Sequence, residues 1–257
     1  GNLKSIVVLL VAGLMAYIMT RTDFYGVIFH SWMNPISPDL AVLGIDDQSL
    51  PTIISFITSS SNTAYYKLII GLLTGLAILY YIFRSGTFVK NMDNVVGGFI
   101  VGSVVALAWY LTGSSLGEEW IETNNFLDSP LPGVGVQSFT FINPMGESII
   151  YLSQSANMYY LTFGVTALLS VILGSFVYSI MSKNFRIEWF QSKEDLKRHI
   201  IGAVLIGIGG VLSLGCTIGQ GVSGVSTLAL GSFVTLISIV IGASIAMKIE
   251  YYNAVYE

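Results

Sequence analysis

Long uninterrupted apolar runs decide what this chain can fold into. A helix that crosses a bilayer needs about 20 mostly apolar residues. Segments 5–20, 66–83, 95–112 and 159–181 meet or approach that length. A fifth run, 200–214, is short and leads into a glycine-rich stretch, and a sixth, 230–247, follows it. In hydrocarbon every backbone N–H and C=O must be satisfied inside the protein, which leaves helices or a closed barrel. Barrel strands alternate apolar and polar residues over about ten positions, whereas these runs are longer and continuous. Composition agrees: 10% of residues are charged and 53% hydrophobic, against about 25% charged in soluble domains. The expected fold class is an all-α membrane protein, a polytopic helical bundle with short re-entrant or broken helices, placed in the lipid bilayer as a multi-pass protein.

The connecting segments sort by charge. Arg84 and Lys90 flank the 91–94 loop, and 182–199 carries Lys183, Arg186, Lys193, Lys197 and Arg198. The 113–158 loop carries Glu118, Glu119, Glu122, Asp128 and Glu147 with no lysine or arginine, and 22–64 has four aspartates before Lys67. Positively charged loops stay in the cytoplasm, so the first pair is expected inside and the second pair outside. Lys4 and Lys248 then also lie inside, and residues 200–230 cross from inside to outside.

Both expected outer loops hold apolar pieces too short to span, 52–57 and 148–152. They read either as short helices folding back into the protein or as ordinary loop helices. Residues 1–6 can be laid on 231–236 with the apolar pattern continuing for one span, in the opposite orientation that an inverted repeat requires. The chain is expected to be a single transmembrane domain over 1–257, with 1–94 the remainder of a first half and 95–257 a second half. It starts with Gly1 rather than Met, which predicts residues before it.

The only cysteine lies in Leu214-Gly215-Cys216-Thr217-Ile218-Gly219-Gln220-Gly221-Val222-Ser223-Gly224, between the fifth and sixth runs. Irregular backbone at membrane depth survives only where protein buries it or a polar cavity lines it. The glycines predict backbone conformations closed to other residues. Free N–H groups in such a turn form an anion-binding nest, and a helix starting near Ser223 would add its dipole. Thr217, Gln220 and Ser223 supply neutral donors, and no lysine or arginine lies between Arg198 and Lys248. The competing reading is close helix packing by small residues, which fits Gly202, Gly207, Gly209 and Gly210 well. Cys216 itself reads either as a small buried hydrophobe or as a thiol on a substrate path.

Other signals are excluded. Gly219–Gly224 matches GxGxxG, but no strand precedes it and no acid follows about 20 residues on, so it does not bind a dinucleotide. One cysteine gives no disulfide and no metal spacing, and no cofactor or catalytic residue is expected. The absence of a basic stripe argues against nucleic acid. His30 and His199 read as interfacial or loop residues, Glu188 and Asp195 as a solvated face. Trp109, Trp120, Tyr159 and Tyr160 read as an aromatic belt. Residues 138–144 read as an extended segment ending at Pro144, and no intramembrane carboxylate stands out.

Together Arg186-Ile187-Glu188-Trp189-Phe190, Asp195-Leu196, Arg198-His199, Gly209-Gly210-Val211-Leu212, Gly215-Cys216-Thr217-Ile218-Gly219-Gln220-Gly221 and Ser226-Thr227-Leu228-Ala229-Leu230-Gly231-Ser232 resemble the YeeE/YedE family of sulfur-compound transporters. The 138–144 segment, Thr112-Gly113 and Phe163-Gly164 resemble it too, and the likeness is strongest over 185–247. The resemblance implies import of thiosulfate or a related sulfur anion across the bacterial inner membrane. It also implies an hourglass of spanning and short helices in which cysteines at the constriction pass the anion along by S–H hydrogen bonds, with Cys216 at one such position. The family's other functional cysteines belong to a preceding part that this sequence does not include.

The expected function is therefore transport rather than catalysis. Gly215 and Cys216 would contact the substrate, Thr217, Gln220 and Ser223 would line the path, and Gly219, Gly221 and Gly224 would shape it. The rival reading is a sulfur relay in which Cys216 carries a persulfide to a cytoplasmic sulfurtransferase. It requires an activated thiol, and no lysine, arginine or histidine adjoins Cys216. A third is a structural membrane subunit.

Overall fold

The computed structural model describes residues 3–37, 40, 42, 45, 47–58, 62–84, 86–131, 133–183 and 185–256. Gly1 and Asn2 of the repeat register, and Asp39 and Asp46 of the acidic first loop, lie outside the described residues. The elements are helices: α1 (Leu3–Arg21), α2 (Ser31–Met33), α3 (Leu50–Ile57), α4 (Thr63–Arg84), α5 (Gly86–Val89), α6 (Met92–Thr112), α7 (Ser115–Asn125), α8 (Ile142–Ser153), α9 (Phe163–Met181), α10 (Lys193–Leu212) and α11 (Leu230–Tyr256). An isolated antiparallel bridge pairs Ser49 with Ala229, and no strand longer than a single bridge residue occurs among the described residues. Five helices, α1, α4, α6, α9 and α11, are long and apolar enough to cross a membrane. The chain is an all-α polytopic membrane protein. By contact it divides into two compact units that alternate along the sequence, Gly1–Ile36 with Ala108–Gly219, and Ser37–Leu107 with Gln220–Glu257.

In the first unit α1 packs against both α8 and α10. The contacts are made by residues too small to hold the helices apart. Ala12, Gly13, Ala16 and Met19 are buried on α1, and Ala203, Gly207 and Gly210 on α10. A Cβ on Gly13 would lie 3.0 Å from the Met145 carbonyl oxygen, and one on Gly146 3.2 Å from the Tyr17 nitrogen. A Cβ on Gly207 would lie 2.7 Å from the Ala12 carbonyl oxygen, and one on Gly210 2.5 Å from Ile142. The packing reading therefore holds for Gly207 and Gly210. Gly202 and Gly209 have nothing within 4 Å of a Cβ position, so close packing does not explain them.

Local chemistry sets the helix ends. Ser192 caps α10, its Oγ accepting from the Asp195 N–H at 3.0 Å, with Glu194 and Asp195 in the first turn. Acidic groups there complement the helix dipole. Asp195 is not a merely solvated residue. Its carboxylate accepts from Lys4 Nζ at 2.9 Å and from the Gln191 N–H at 3.0 Å, and it lies 3.0 Å from His199 Nδ1. Lys4 also sits over the Phe190 ring, 5.8 Å from its centroid. One carboxylate thus ties the start of α1 to the start of α10.

α8 contains the apolar piece 148–152. It packs on α1, α9 and α10, so it folds back into the protein. It starts at Ile142, so Pro144 does not end the extended segment; it lies in the first helical turn, where its missing N–H costs nothing.

The second unit is more open. α4 has no buried residue, and Leu68, Leu72, Leu76 and Leu79 are each about half exposed or more along one face, as expected of a lipid-facing helix. α3, which contains 52–57, packs against α4. Its cap Ser49 accepts from the Thr52 N–H. The chain around Ser49 is stitched to the segment before α11: the Leu50 N–H donates to the Leu228 carbonyl and the Leu230 N–H to the Gln48 carbonyl, both at 2.9 Å.

Two outcomes follow. Gly207→Val and Gly210→Val are expected to lower stability in detergent by about 1–3 kcal/mol each through overpacking, while Gly209→Ala leaves the denaturation midpoint unchanged. The hydrogen bond from Lys4 holds the Asp195 carboxyl below the usual aspartate range, helped by the Gln191 N–H. A depressed carboxyl stabilises the fold above its unfolded pKa and loses that contribution as pH falls through its folded value. A midpoint-versus-pH curve of Asp195→Asn should therefore converge on the parent only in strong acid.

Candidate functional site

The cysteine-containing run is not the glycine-shaped turn that the sequence predicts. α10 ends at Leu212, and Leu214 takes the left-handed conformation (φ +58°). The Gly215 N–H then donates to the Gly210 carbonyl at 2.8 Å, and the Leu214 N–H to the Val211 carbonyl at 3.0 Å, which satisfies the carbonyls left over at the end of α10. Ser213 Oγ donates to the Gly215 carbonyl at 2.7 Å. A second helix begins at once. Residues 217–226 are helical, with a π-helical centre at Gly219–Gly224, and the left-handed Leu228 follows (φ +60°).

Two expectations are thereby corrected. The helix starts at Thr217 rather than near Ser223. None of Gly215, Gly219, Gly221 or Gly224 has a positive φ; that conformation falls on the flanking leucines. What the glycines of the helix provide is close approach. A Cβ on Gly219 would lie 2.6 Å from Thr140 Oγ1, one on Gly221 2.9 Å from Leu236, and one on Gly224 would collide with Ser232 Oγ. Inserted π turns recur at functional sites.

Cys216 stands at the N-cap of this short helix. The N–H of Gly219, three residues on, donates to its Sγ at 3.5 Å, the geometry in which serine or aspartate usually caps a helix. Cys216 is half-buried, Gly215 is buried and Thr217 is exposed. These three and Gly219 belong to the first unit, where Thr140 of the 138–144 segment lies against Gly219. The rest of the run belongs to the second unit. There Ser232 Oγ of α11 donates to Gln220 Oε1 at 2.5 Å, and buried Ser223 accepts from Ser226 Oγ through its carbonyl at 2.6 Å. An open groove of about 550 Å³ runs beside it, lined by Lys67, Thr74, Gly221, Val222 and Ser226 among others.

Two residues escaped the sequence reading. Thr140 carries no signal beyond its place in the 138–144 segment. Glu147 reads as one more acid of the 113–158 loop, yet it is half-buried: Thr162 Oγ1 donates to its Oε2 at 2.7 Å, and it lines a cavity with Arg21 and Tyr160. No group of three or more potential metal ligands occurs among the described residues.

Span-length helices and a cysteine-capped short helix define a polytopic membrane protein of the helix-bundle type. The chain belongs to the sulphur transport family, whose model matches residues 1–245; this is the YeeE/YedE family. Among curated proteins it is similar to the thiosulfate transporter TsuA of Escherichia coli (strain K12), with 24% identity over 164 residues. The alignment covers 64% of this chain and 41% of that relative. No solved structure gives a significant match.

The contact at Gly219 is open to test. Gly219→Ala is expected to lower the thermal midpoint, and Thr140→Ala added to it to restore part of the loss, with a coupling of about 0.5–3 kcal/mol for touching residues read from a double-mutant cycle.

Proposed function

We propose that this protein carries thiosulfate or a closely related sulfur anion across the bacterial inner membrane through a constriction at Cys216. The cysteine's place at a helix N-terminus, in a family of sulfur transporters, carries the reading. The relative's thiosulfate activity supports the choice of anion. The N–H groups of Thr217 and Ile218 open the same helix, and such unpaired termini favour negative charge. The Gly215 N–H, expected to meet the substrate, is instead held by the Gly210 carbonyl at 2.8 Å; the proposed contacts are therefore the Cys216 thiol and the Thr217 hydroxyl, with Gly215 shaping the turn and Gly219 keeping Thr140 close. Gln220, Gly221 and Ser223 continue the polar run. Holding the anion by dipoles and a weak S–H donor suits binding that must also release.

The test is uptake of radiolabelled thiosulfate into cells without another importer, comparing the intact gene product with Cys216→Ser at matched membrane abundance. Uptake is expected to fall at least tenfold in the variant, and the parent Cys216 to gain no sulfur mass on incubation with thiosulfate. Equal uptake would overturn the reading, and an added sulfur on Cys216 would move it to the relay.

A further inference from the structure

A small, half-open cavity lies away from the cysteine run, wholly within the first unit. The exposed Arg21 of α1, Glu147 of α8, Tyr160 and Thr162 of the turn before α9, and the apolar Leu131 and Ile150 line about 160 Å³. A tetrahedral oxyanion needs roughly two to three times the ~30 Å³ share of a water molecule, so the space suffices. Two of its lining side chains carry donors, the guanidinium of Arg21 and the phenol of Tyr160, while the Thr162 hydroxyl already donates to Glu147.

Glu147 is the odd member, a carboxylate where an anion would sit. Its surroundings are built to hold it. Thr162 caps α9 by accepting from the Val165 N–H at 3.3 Å, and the same Oγ1 donates to Glu147 Oε2 at 2.7 Å. Gly133, left-handed at φ +76°, packs over the carboxylate so closely that any Cβ there would strike Oε1. The charged and titratable groups that line the cavity beside Glu147 are Arg21 from α1 and Tyr160 from the turn before α9. The 130–137 stretch that carries Leu131 and Gly133 has no titratable residue. α8 is not among the span-length helices. Burial raises the Glu147 carboxyl above the usual glutamate range, opposed by the Thr162 hydrogen bond and by the charge of Arg21.

The charge balance then depends on one proton. With Glu147 ionised, its charge cancels that of Arg21 and the cavity has no use for an anion. With Glu147 protonated, the cavity carries one positive charge, and Arg21, Tyr160 and the carboxyl O–H can donate.

We propose that this cavity is a binding site for a small tetrahedral oxyanion, which is bound together with one proton held by Glu147. The choice of oxyanion rests on the reading of the chain as a sulfur-anion transporter. The proton comes from water and goes to a carboxylate oxygen; a dianion and one proton enter, and no bond to sulfur forms or breaks. Because the donors address oxygen atoms, the cavity accepts sulfate as readily as thiosulfate, and discrimination for sulfane sulfur is left to Cys216.

The experiment is calorimetric titration of sodium sulfate into the intact gene product in lipid nanodiscs, from pH 5.5 to 8.5, in two buffers of different ionisation enthalpy. The parent is expected to take up nearly one proton per sulfate. Its Kd should weaken by up to about tenfold per pH unit once Glu147 ionises. Glu147→Gln should bind with no pH dependence and no proton uptake. Arg21→Met should bind at least tenfold more weakly at every pH, and Arg21→Lys should recover part of that loss. Should Arg21→Met fail to fold, Arg21→Lys and Glu147→Gln decide. No sulfate binding by the parent at pH 5.5, an unchanged proton count in Glu147→Gln, or unweakened binding in a folded Arg21→Met would overturn the proposal. Cys216→Ser separates the two readings: it should leave sulfate binding intact while thiosulfate uptake falls. If it still imports thiosulfate but sulfate binding behaves as described, the cavity stands and the constriction at Cys216 does not.

Discussion

The first unit depends on backbones that touch. Lipid tails are as apolar as leucine, so burial from water does not drive helices together inside a bilayer; van der Waals contact must do so. Gly13, Gly146, Gly207 and Gly210 remove the side chains that would hold α1, α8 and α10 apart. This close approach carries α8 inward although it is only twelve residues long. The extended segment before α8 then brings Thr140 against Gly219, next to the cysteine-capped turn. The position of the candidate site is in that sense an effect of four missing methyl groups.

The spans were legible because hydrocarbon thickness acts on sequence directly. The runs at 5–20, 66–83, 95–112 and 159–181 correspond to α1, α4, α6 and α9, and the short run at 200–214 is the apolar part of α10, whose first turns are charged. The glycine run was legible as a special place but not as a shape. Glycine permits left-handed backbone, yet here Leu214 and Leu228 adopt it. The surrounding hydrogen bonds can impose that conformation on a leucine, whereas a Cβ at Gly219 meets the Thr140 side chain.

Tertiary pairing was the part that stayed hidden. Asp195 reads as one charge in a mixed loop, and only the fold brings Lys4, 191 positions away, to its carboxylate. Glu147 is the same case with the opposite outcome, since a glutamate in an acidic stretch looks solvated until a helix end, Arg21 and Thr162 close over it. The alternation of the two units along the chain is likewise written in contacts rather than in composition.

The sulfur of Cys216 sets how firmly the short helix begins. It accepts the Gly219 N–H at 3.5 Å, a long contact to a weak acceptor. A serine oxygen would form a shorter bond to the same N–H and cap the helix better. At this position the larger, softer sulfur gives the looser start to the helix, and the turn at the end of α10 is left the more easily distorted for it.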